Sequence, residues 1–370
     1  MDQELDFLFE HRREFIFVNM IDNNNRTSFI KEKLEKNLQS IKERKKIKVG
    51  DTPLDSLTFL LLSLDHHDYL EPYLQKLEQL PKKEKRKIVR QENELEHSPL
   101  SYLIINATKV NFKKAFNLLF KYDLEIDINL KSKKGGWTAL MLACYYSNTE
   151  STEKTVEMLL EKNPDLNLKT NNGNTALILA CYYSKIDSTE KTVEMLLEKG
   201  TDVNLHNNNG ETALMIACRE SNKSSTEKTV KMLLEKNPVI NLGNNNDWTP
   251  LMYACYFSAI ESTLNTVKML VNANANYHVK FDKYFNNNLL GFLTYVTKYT
   301  EETDDIINFE LLKYLIELGV EVNYVNDKNQ NVLQVFMEHL LLKQPLNGRN
   351  KDSINNWNEI NFINKKPSVI

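Results

Sequence analysis

The sequence predicts an all-α solenoid, a row of short helical hairpins joined by extended turns. Three observations carry this. The segment T-A-L-M-L-A-C from Thr138 recurs as T-A-L-I-L-A-C from Thr175, T-A-L-M-I-A-C from Thr212 and T-P-L-M-Y-A-C from Thr249, with a period of 37 residues each time. In fixed register behind it come V-E-M-L-L-E-K from Val156 and Val193, V-K-M-L-L-E-K from Val230 and V-K-M-L-V-N-A from Val267. Between units lies an Asn- and Gly-rich tip, N-N-G-N from Asn171 and N-N-G-E from Asn208. Self-similarity at such a period is the signature of a repeat architecture, in which each unit buries its apolar face on the next.

The first helix of each unit runs from the T-A-L segment through the cysteine, with Leu140, Ala143 and Cys144 on one face at helical spacing. A Ser-Thr pair at Ser151, Ser188, Ser225 and Ser262 announces the second helix, and a hydroxyl there can accept from the free N–H groups of the first turn. Glu153, Glu190 and Glu227 follow, where the helix dipole favours negative charge. Val156, Leu159, Leu160 and their equivalents form the apolar face. Asn163, Gly200 and Asn237 tolerate the left-handed conformation that ends such a helix, and Pro164 and Pro238 forbid its continuation. The Asn/Gly tips supply the positive φ of a hairpin turn.

Helix pair, hairpin, T-P-L-x-x-A and a leucine-rich second helix together resemble the ankyrin repeat. The matching residues include G-x-T-A-L from Gly173 to Leu177 and L-L-E-K-G-T-D-V-N from Leu196 to Asn204. Two departures stand out. The period exceeds the usual ~33 residues by about four, inserted between the helices within S-N-T-E-S-T-E from Ser147. The histidine usual after T-P-L is Met141, Ile178, Met215 or Met252, so its hydrogen-bonding role is expected to give way to apolar packing.

Fainter copies start at Ser98-Pro99-Leu100, with F-N-L-L-F from Phe116 as second helix, and at Thr52-Pro53-Leu54. On the far side, E-L-L-K-Y-L-I-E-L-G-V-E-V-N from Glu310 reads as a second helix with its hairpin, and Val332–Leu340 as the first helix of a last unit. The expected organisation is an N-terminal helical cap over 1–49, an ankyrin array over 50–345 that is strongest at 137–278, and a polar C-terminal tail over 346–370. The Asn-, Lys- and Ile-heavy composition is similar to that of ankyrin proteins of large DNA viruses of amoebae. Adaptors among those proteins often carry a C-terminal ubiquitin-ligase box, and residues 343–370 show no convincing one.

Composition narrows the function. Hydrophobic residues at 41% and charged residues at 26% describe a globular chain. A net charge of −3 argues against a domain that works by neutralising phosphates. Basic stretches at Lys42–Lys48 and Lys82–Arg90 keep nucleic-acid or polyanion binding as the alternative function. Met1–Glu10 holds four acidic residues, unlike a secretory leader, and no apolar run nears the ~20 residues of a membrane span. An intracellular, cytoplasmic protein is expected (host-cell cytoplasm if viral), and a monomer.

Cys144, Cys181, Cys218 and Cys255 fall one per repeat, about 8–10 Å apart on helix-packing distances. That separation builds neither a disulfide nor a metal site, and it fits a reducing compartment. No phosphate loop, H-E-x-x-H, EF-hand loop, C-x-x-C or G-x-S-x-G occurs, and His66-His67 point in different directions on a helix. No catalytic, cofactor or metal residues are therefore expected.

In ankyrin arrays the hairpin tips and the exposed end of the first helix form the binding face. The resemblance thus assigns protein-partner contacts to Tyr145, Tyr146, Tyr182, Tyr183, Arg219, Glu220, Tyr256 and Phe257 after the cysteines, and to Trp137 and Trp248 at the tips. Tyr, Trp and Arg dominate interface hot spots. Each tyrosine has equal claim to a core role, since large aromatics are often mostly buried. Asn167, Asn204 and Asn241 match a position that asparaginyl hydroxylases modify in some ankyrin proteins, although holding the hairpin is their first expected role.

Overall fold

The computed structural model describes residues 67–90, 92, 97–107, 111–149, 151–186, 188–221, 223–257, 262–281, 287–296, 309–332 and 334. The expected N-terminal cap, the copy at Thr52, the stretch Lys42–Lys48, most of Val332–Leu340 and the tail lie outside them. The chain divides into two compact units, Met1–Lys133 and Lys134–Ile370.

The first unit contains α1 (His67–Glu78), α2 (Lys82–Val89), α3 (Pro99–Ile105) and α4 (Phe112–Lys121). Ser98 caps α3 by accepting from the Ser101 N–H at 3.3 Å, with Pro99 at the first helical position as its missing donor allows. Leu70, Leu74, Leu77, Leu103, Ile104, Phe116 and Leu119 form its core. Three of the five basic residues of α2, and its C-cap Arg90, are matched within the unit. Lys82 and Arg86 pair with Glu125, Lys85 with Asp123 and Arg90 with Asp127.

The second unit holds the four strong repeats as helix pairs. These are α5 (Ala139–Tyr145) with α6 (Glu153–Leu160), α7 (Ala176–Tyr182) with α8 (Glu190–Glu198), α9 (Ala213–Glu220) with α10 (Glu227–Leu234), and α11 (Pro250–Tyr256) with α12 (Leu264–Asn272). First helices pack on first helices of the neighbouring repeats, and second helices on second. A strand pair, β1 (Lys280–Phe281) and β2 (Asn287–Asn288), then leads to α13 (Leu289–Val296), and α14 (Phe309–Glu317) follows. The sequence reading had no helix at 289–296, because N-N-L-L-G-F-L lacks the T-A-L signature. Its start is marked instead by Asn288, whose Oδ1 accepts from the Gly291 N–H at 3.0 Å.

Helices of seven to nine residues are too short to persist alone in water, so packing holds them. The first helices are buried on every side: Ala139 through Cys144, and the equivalents in α7, α9 and α11, are all buried. The single apolar stripe read from sequence is thus too narrow. Neighbouring helices wall α7, α9 and α11 on both flanks, α7 packs on one flank of α5, and each first helix has its second helix behind it. The four thiols are free and buried, and desolvation holds them above their ordinary titration range.

Of each expected Ser-Thr pair it is the threonine, Thr152, Thr189, Thr226 or Thr263, that caps the second helix. Ser188, Ser225 and Ser262 turn inward and build a buried hydroxyl ladder between repeats, whereas the buried Ser151 hydroxyl has no partner among the described residues. Ser147 meets Ser188 at 3.2 Å and accepts from Thr192 at 2.8 Å; Ser184 meets Ser225 and Thr229; Ser221 meets Ser262 and Thr266. The methionines also retain a polar role that the sequence reading denied them. The sulfurs of Met141 and Met252 accept from the backbone N–H of Thr138 and Thr249 at 3.4 Å.

The hairpin tips stack as a second ladder. Asn171 N–H donates to Gly135 O, Asn208 N–H to Asn172 O and Asn245 N–H to Asn209 O, each at 3.0 Å. Their side-chain amides donate to Lys134 O, Asn171 O and Asn208 O. Asn163, Gly200 and Asn237 end the second helices with φ of 50°, 80° and 50°, as their residue types predict.

Gly173 and Gly200 share a φ of +80°, yet a Cβ on Gly173 would lie 2.5 Å from the Asn208 backbone nitrogen, whereas on Gly200 it would meet open space. Gly200→Ala should therefore lose about 1–2 kcal/mol from backbone strain alone. Gly173→Ala should lose a further ~1–3 kcal/mol from the clash, and urea unfolding of the two variants measures the difference.

Candidate partner-binding face

The residues after each cysteine end their first helix just beyond the buried segment, and the tips place Trp137 and Trp248 beside them. Trp137, Tyr145, Tyr146, Tyr182, Tyr183, Trp248, Tyr256 and Phe257 are all half-buried. The equal claims of core and surface therefore resolve to both: each ring rests an edge on its neighbours and keeps part of its area in solvent.

The rings form two clusters along this face. Trp137 meets Tyr145 edge-on at 5.6 Å, Tyr145 meets Tyr146 at 4.5 Å and Tyr183 of the next repeat at 4.6 Å, and Tyr183 meets Tyr182 at 4.4 Å. At the far end Trp248 lies 5.2 Å from both Tyr253 and Tyr256 and 5.5 Å from Phe292 of α13, while Phe257 touches Tyr256 at 4.6 Å. Offset and edge-on pairs at such distances are each worth about 0.5–1.5 kcal/mol beyond area burial.

Arg219 joins the two ends. Its guanidinium lies 5.5 Å from the Tyr182 ring centre and 5.8 Å from that of Tyr253, a cation held between two π faces. Nη1 donates to Glu211 at 2.9 Å and Nε to Glu220 at 2.8 Å. Glu211 also accepts from the Tyr253 hydroxyl at 2.9 Å and the Asn207 amide at 3.0 Å, and Asn244 donates to Tyr253. Glu220 is the exception to the exposure expected of the ten residues. It is 4% exposed, and its other oxygen accepts from Ser224.

Burial alone would raise the Glu211 carboxyl, but the Asn207 amide, the Arg219 charge and the Tyr253 hydroxyl outweigh it and hold the group below the usual carboxylate range. Burial works against the Arg219 charge, and the bond to Glu220 with the two carboxylate charges restores and raises it. Burial, the Glu211 charge and the bond to it push Tyr253 well above the usual phenol range.

Sequence reasoning missed Tyr253 and Phe292, and it gave Glu211 a hairpin-tip position without its place in this network. Two signals were present. Tyr253 stands where the other repeats have Leu142, Leu179 and Ile216, and Glu211 stands directly before the cap, where Trp137 and Trp248 stand in theirs. The hairpin asparagines serve as expected. Asn167 accepts from Asp202 N–H at 3.1 Å, Asn204 from Val239 N–H and Asn241 from Asn276 N–H at 2.8 Å, each tying its hairpin to the next. Among the described residues no group of three or more His, Cys, Asp and Glu side chains could hold a metal, and no helix is long and apolar enough to cross a membrane.

Stacked helix pairs joined by ladder-bonded hairpin tips define the ankyrin-repeat fold, an all-α solenoid. The sequence matches the family model of ankyrin repeats over residues 103–205 and 188–281. The crystal structure of the human ASB11 ankyrin repeat domain is similar at a TM-score of 0.48 and 19% identity, covering 68% of this chain and 100% of that one. No curated protein matches the sequence.

The Arg219 network is testable by charge. Arg219→Leu leaves two carboxylates facing each other without their cation and should cost about 3 kcal/mol in urea unfolding. Adding Glu211→Gln should recover part of the loss. Because the folded Glu211 carboxyl lies below its unfolded value of about 4.3, its contribution is full above that pH and disappears as pH falls through the folded value. Glu211→Gln alone should accordingly flatten the stability loss below pH ~4.

Proposed function

We propose that the chain is a protein-binding scaffold that takes its partner on the strip from Trp137 to Phe257 and performs no catalysis. Ankyrin repeats generally mediate protein–protein interaction, and this fold is typically a non-enzymatic scaffold. The observation that carries the reading here is the strip itself: eight half-buried aromatic rings, in two clusters joined by Arg219, along one face of the repeats. Such rings offer large contact area for little side-chain entropy. In this reading the array spans 50–345 between an N-terminal cap and a polar tail, and works as a monomer. Free, buried thiols and the Asn/Lys-rich composition support an adaptor of viral kind in host cytoplasm.

Polyanion binding has less support from the second basic stretch than its charge count suggests, since Lys82, Lys85, Arg86 and Arg90 already face carboxylates.

Two experiments separate these readings. Changing Tyr145, Tyr182 and Tyr256 together to Ala should remove the proteins that the wild-type chain captures from its native cell, as identified by mass spectrometry, while far-UV helicity is kept. If the variant loses cooperative folding, the rings are core and the scaffold reading fails. On heparin, the wild-type chain should elute below about 150 mM salt; retention with a steep salt slope would favour the polyanion reading.

A further inference from the structure

Resting on the scaffold reading, one gap in the aromatic face points to the chemistry of its partner. We infer that the place between Asn174 and Tyr182 receives a tryptophan side chain from a protein partner.

In three of the four strong repeats the residue before the first-helix cap touches the residue eight positions later. Trp137 meets Tyr145 at 5.6 Å and Trp248 meets Tyr256 at 5.2 Å, both edge-on, with ring planes at 88° and 65°. Glu211 instead accepts from Arg219 at 2.9 Å. Tyrosine is thus matched by tryptophan, and the guanidinium by a carboxylate. Asn174 before Tyr182 breaks the rule.

The backbone at Asn174 does not account for the exception. Its carbonyl accepts from the Thr170 N–H at 2.9 Å, as those of Glu211 and Trp248 accept from Asn207 and Asn244 at 3.0 Å. Its N–H donates to the Thr170 hydroxyl at 3.1 Å, as theirs donate to the side-chain oxygens of Asn207 and Asn244 at 2.9 Å. The caps that follow, Thr175, Thr212 and Thr249, have φ of −86°, −85° and −87°. Position 174 therefore aims its side chain along the first helix toward Tyr182, and an asparagine is too short to cover a ring there. Among the described residues the Asn174 amide has no hydrogen-bond partner. Among them too, the ring and cation contacts of the half-buried Tyr182 are with Tyr183 beside it and Arg219 of the next repeat, and none comes from its own tip.

The chain itself shows what such a place takes. Beside tyrosine it supplies an indole on both occasions, in an edge-on pairing that adds stability beyond the area buried. A partner's indole would repeat that pairing on Tyr182. Its N–H would have the Asn174 amide oxygen as acceptor, a partner that a buried indole needs. The two residues that define the place are uncharged, so an acidic or basic side chain finds no counter-charge in them. Tryptophan is also enriched among the residues that anchor interfaces by filling such places.

The test uses the full chain, with its own indole as competitor. N-acetyltryptophanamide, titrated into isotopically labelled protein, should shift the Tyr182 ring and Asn174 amide resonances saturably at low-millimolar concentration, and N-acetylalaninamide should not. Tyr182→Leu should weaken that binding about fivefold. Asn174→Trp should fill the place from within, raising the melting temperature by about 1–4 °C and weakening the binding about tenfold or more. Equal shifts by the alanine compound, or unchanged binding by Tyr182→Leu, overturn the inference. So does an Asn174→Trp chain that melts below wild type or binds the compound equally well. A protein partner lost when Tyr145, Tyr182 and Tyr256 are changed, yet kept by Asn174→Trp, also overturns it and leaves the scaffold reading standing.

Discussion

A helix of seven residues has almost no stability of its own, and the repeat region depends on overcoming that. The first helices α7, α9 and α11 are enclosed by the helices before, behind and after them, and small residues at Ala180 and Cys181, with their equivalents, permit the approach. Enclosure removes apolar area from water on all sides, about 25 cal/mol per Å². The caps at Thr138, Thr175, Thr212 and Thr249 define where enclosure begins. The aromatic residues start where it ends. They are half-exposed because the helix has run past its neighbours.

The fold was legible because its determinants recur. Four copies of T-x-L-x-x-A-C expose the period directly, and residue types at Asn163, Gly200 and Asn237 announce the left-handed ends that the backbone shows. The inward serines were not legible in the same way. Ser and Thr are equally good caps by residue type, and only the path of the chain decides which hydroxyl faces the helix end and which faces the next repeat. The helix at Leu289–Val296 was hidden for the opposite reason, since its cap is Asn288 and its apolar run matches no other unit.

The candidate face was partly legible. The positions after each cysteine and before each cap are fixed by the repeat, so Trp137, Tyr145, Tyr182 and Trp248 could be placed on a common side. Their mutual contacts could not. The Arg219 network joins Glu211 before the cap, Arg219 near the helix end and Tyr253 in the following repeat. Such partners lie eight and about thirty-four residues away in the chain, and only stacking brings them together. Position-by-position comparison of repeats reveals each as an oddity; the structure shows that the oddities are one arrangement.

The buried serine and threonine hydroxyls carry a consequence for how such a chain grows or shrinks. Every joint is written half in one repeat and half in the next, with Ser147 answered by Ser188 and Thr192, and Ser184 by Ser225 and Thr229. A gene duplication or deletion of one whole 37-residue block preserves every pairing. Grafting in a module of the commoner length would strand hydroxyls in a dry interface, at about 1–3 kcal/mol for each one left bare. The 37-residue units can thus stand in for one another, whereas a unit of another length would have to bring its own answer to the facing hydroxyls.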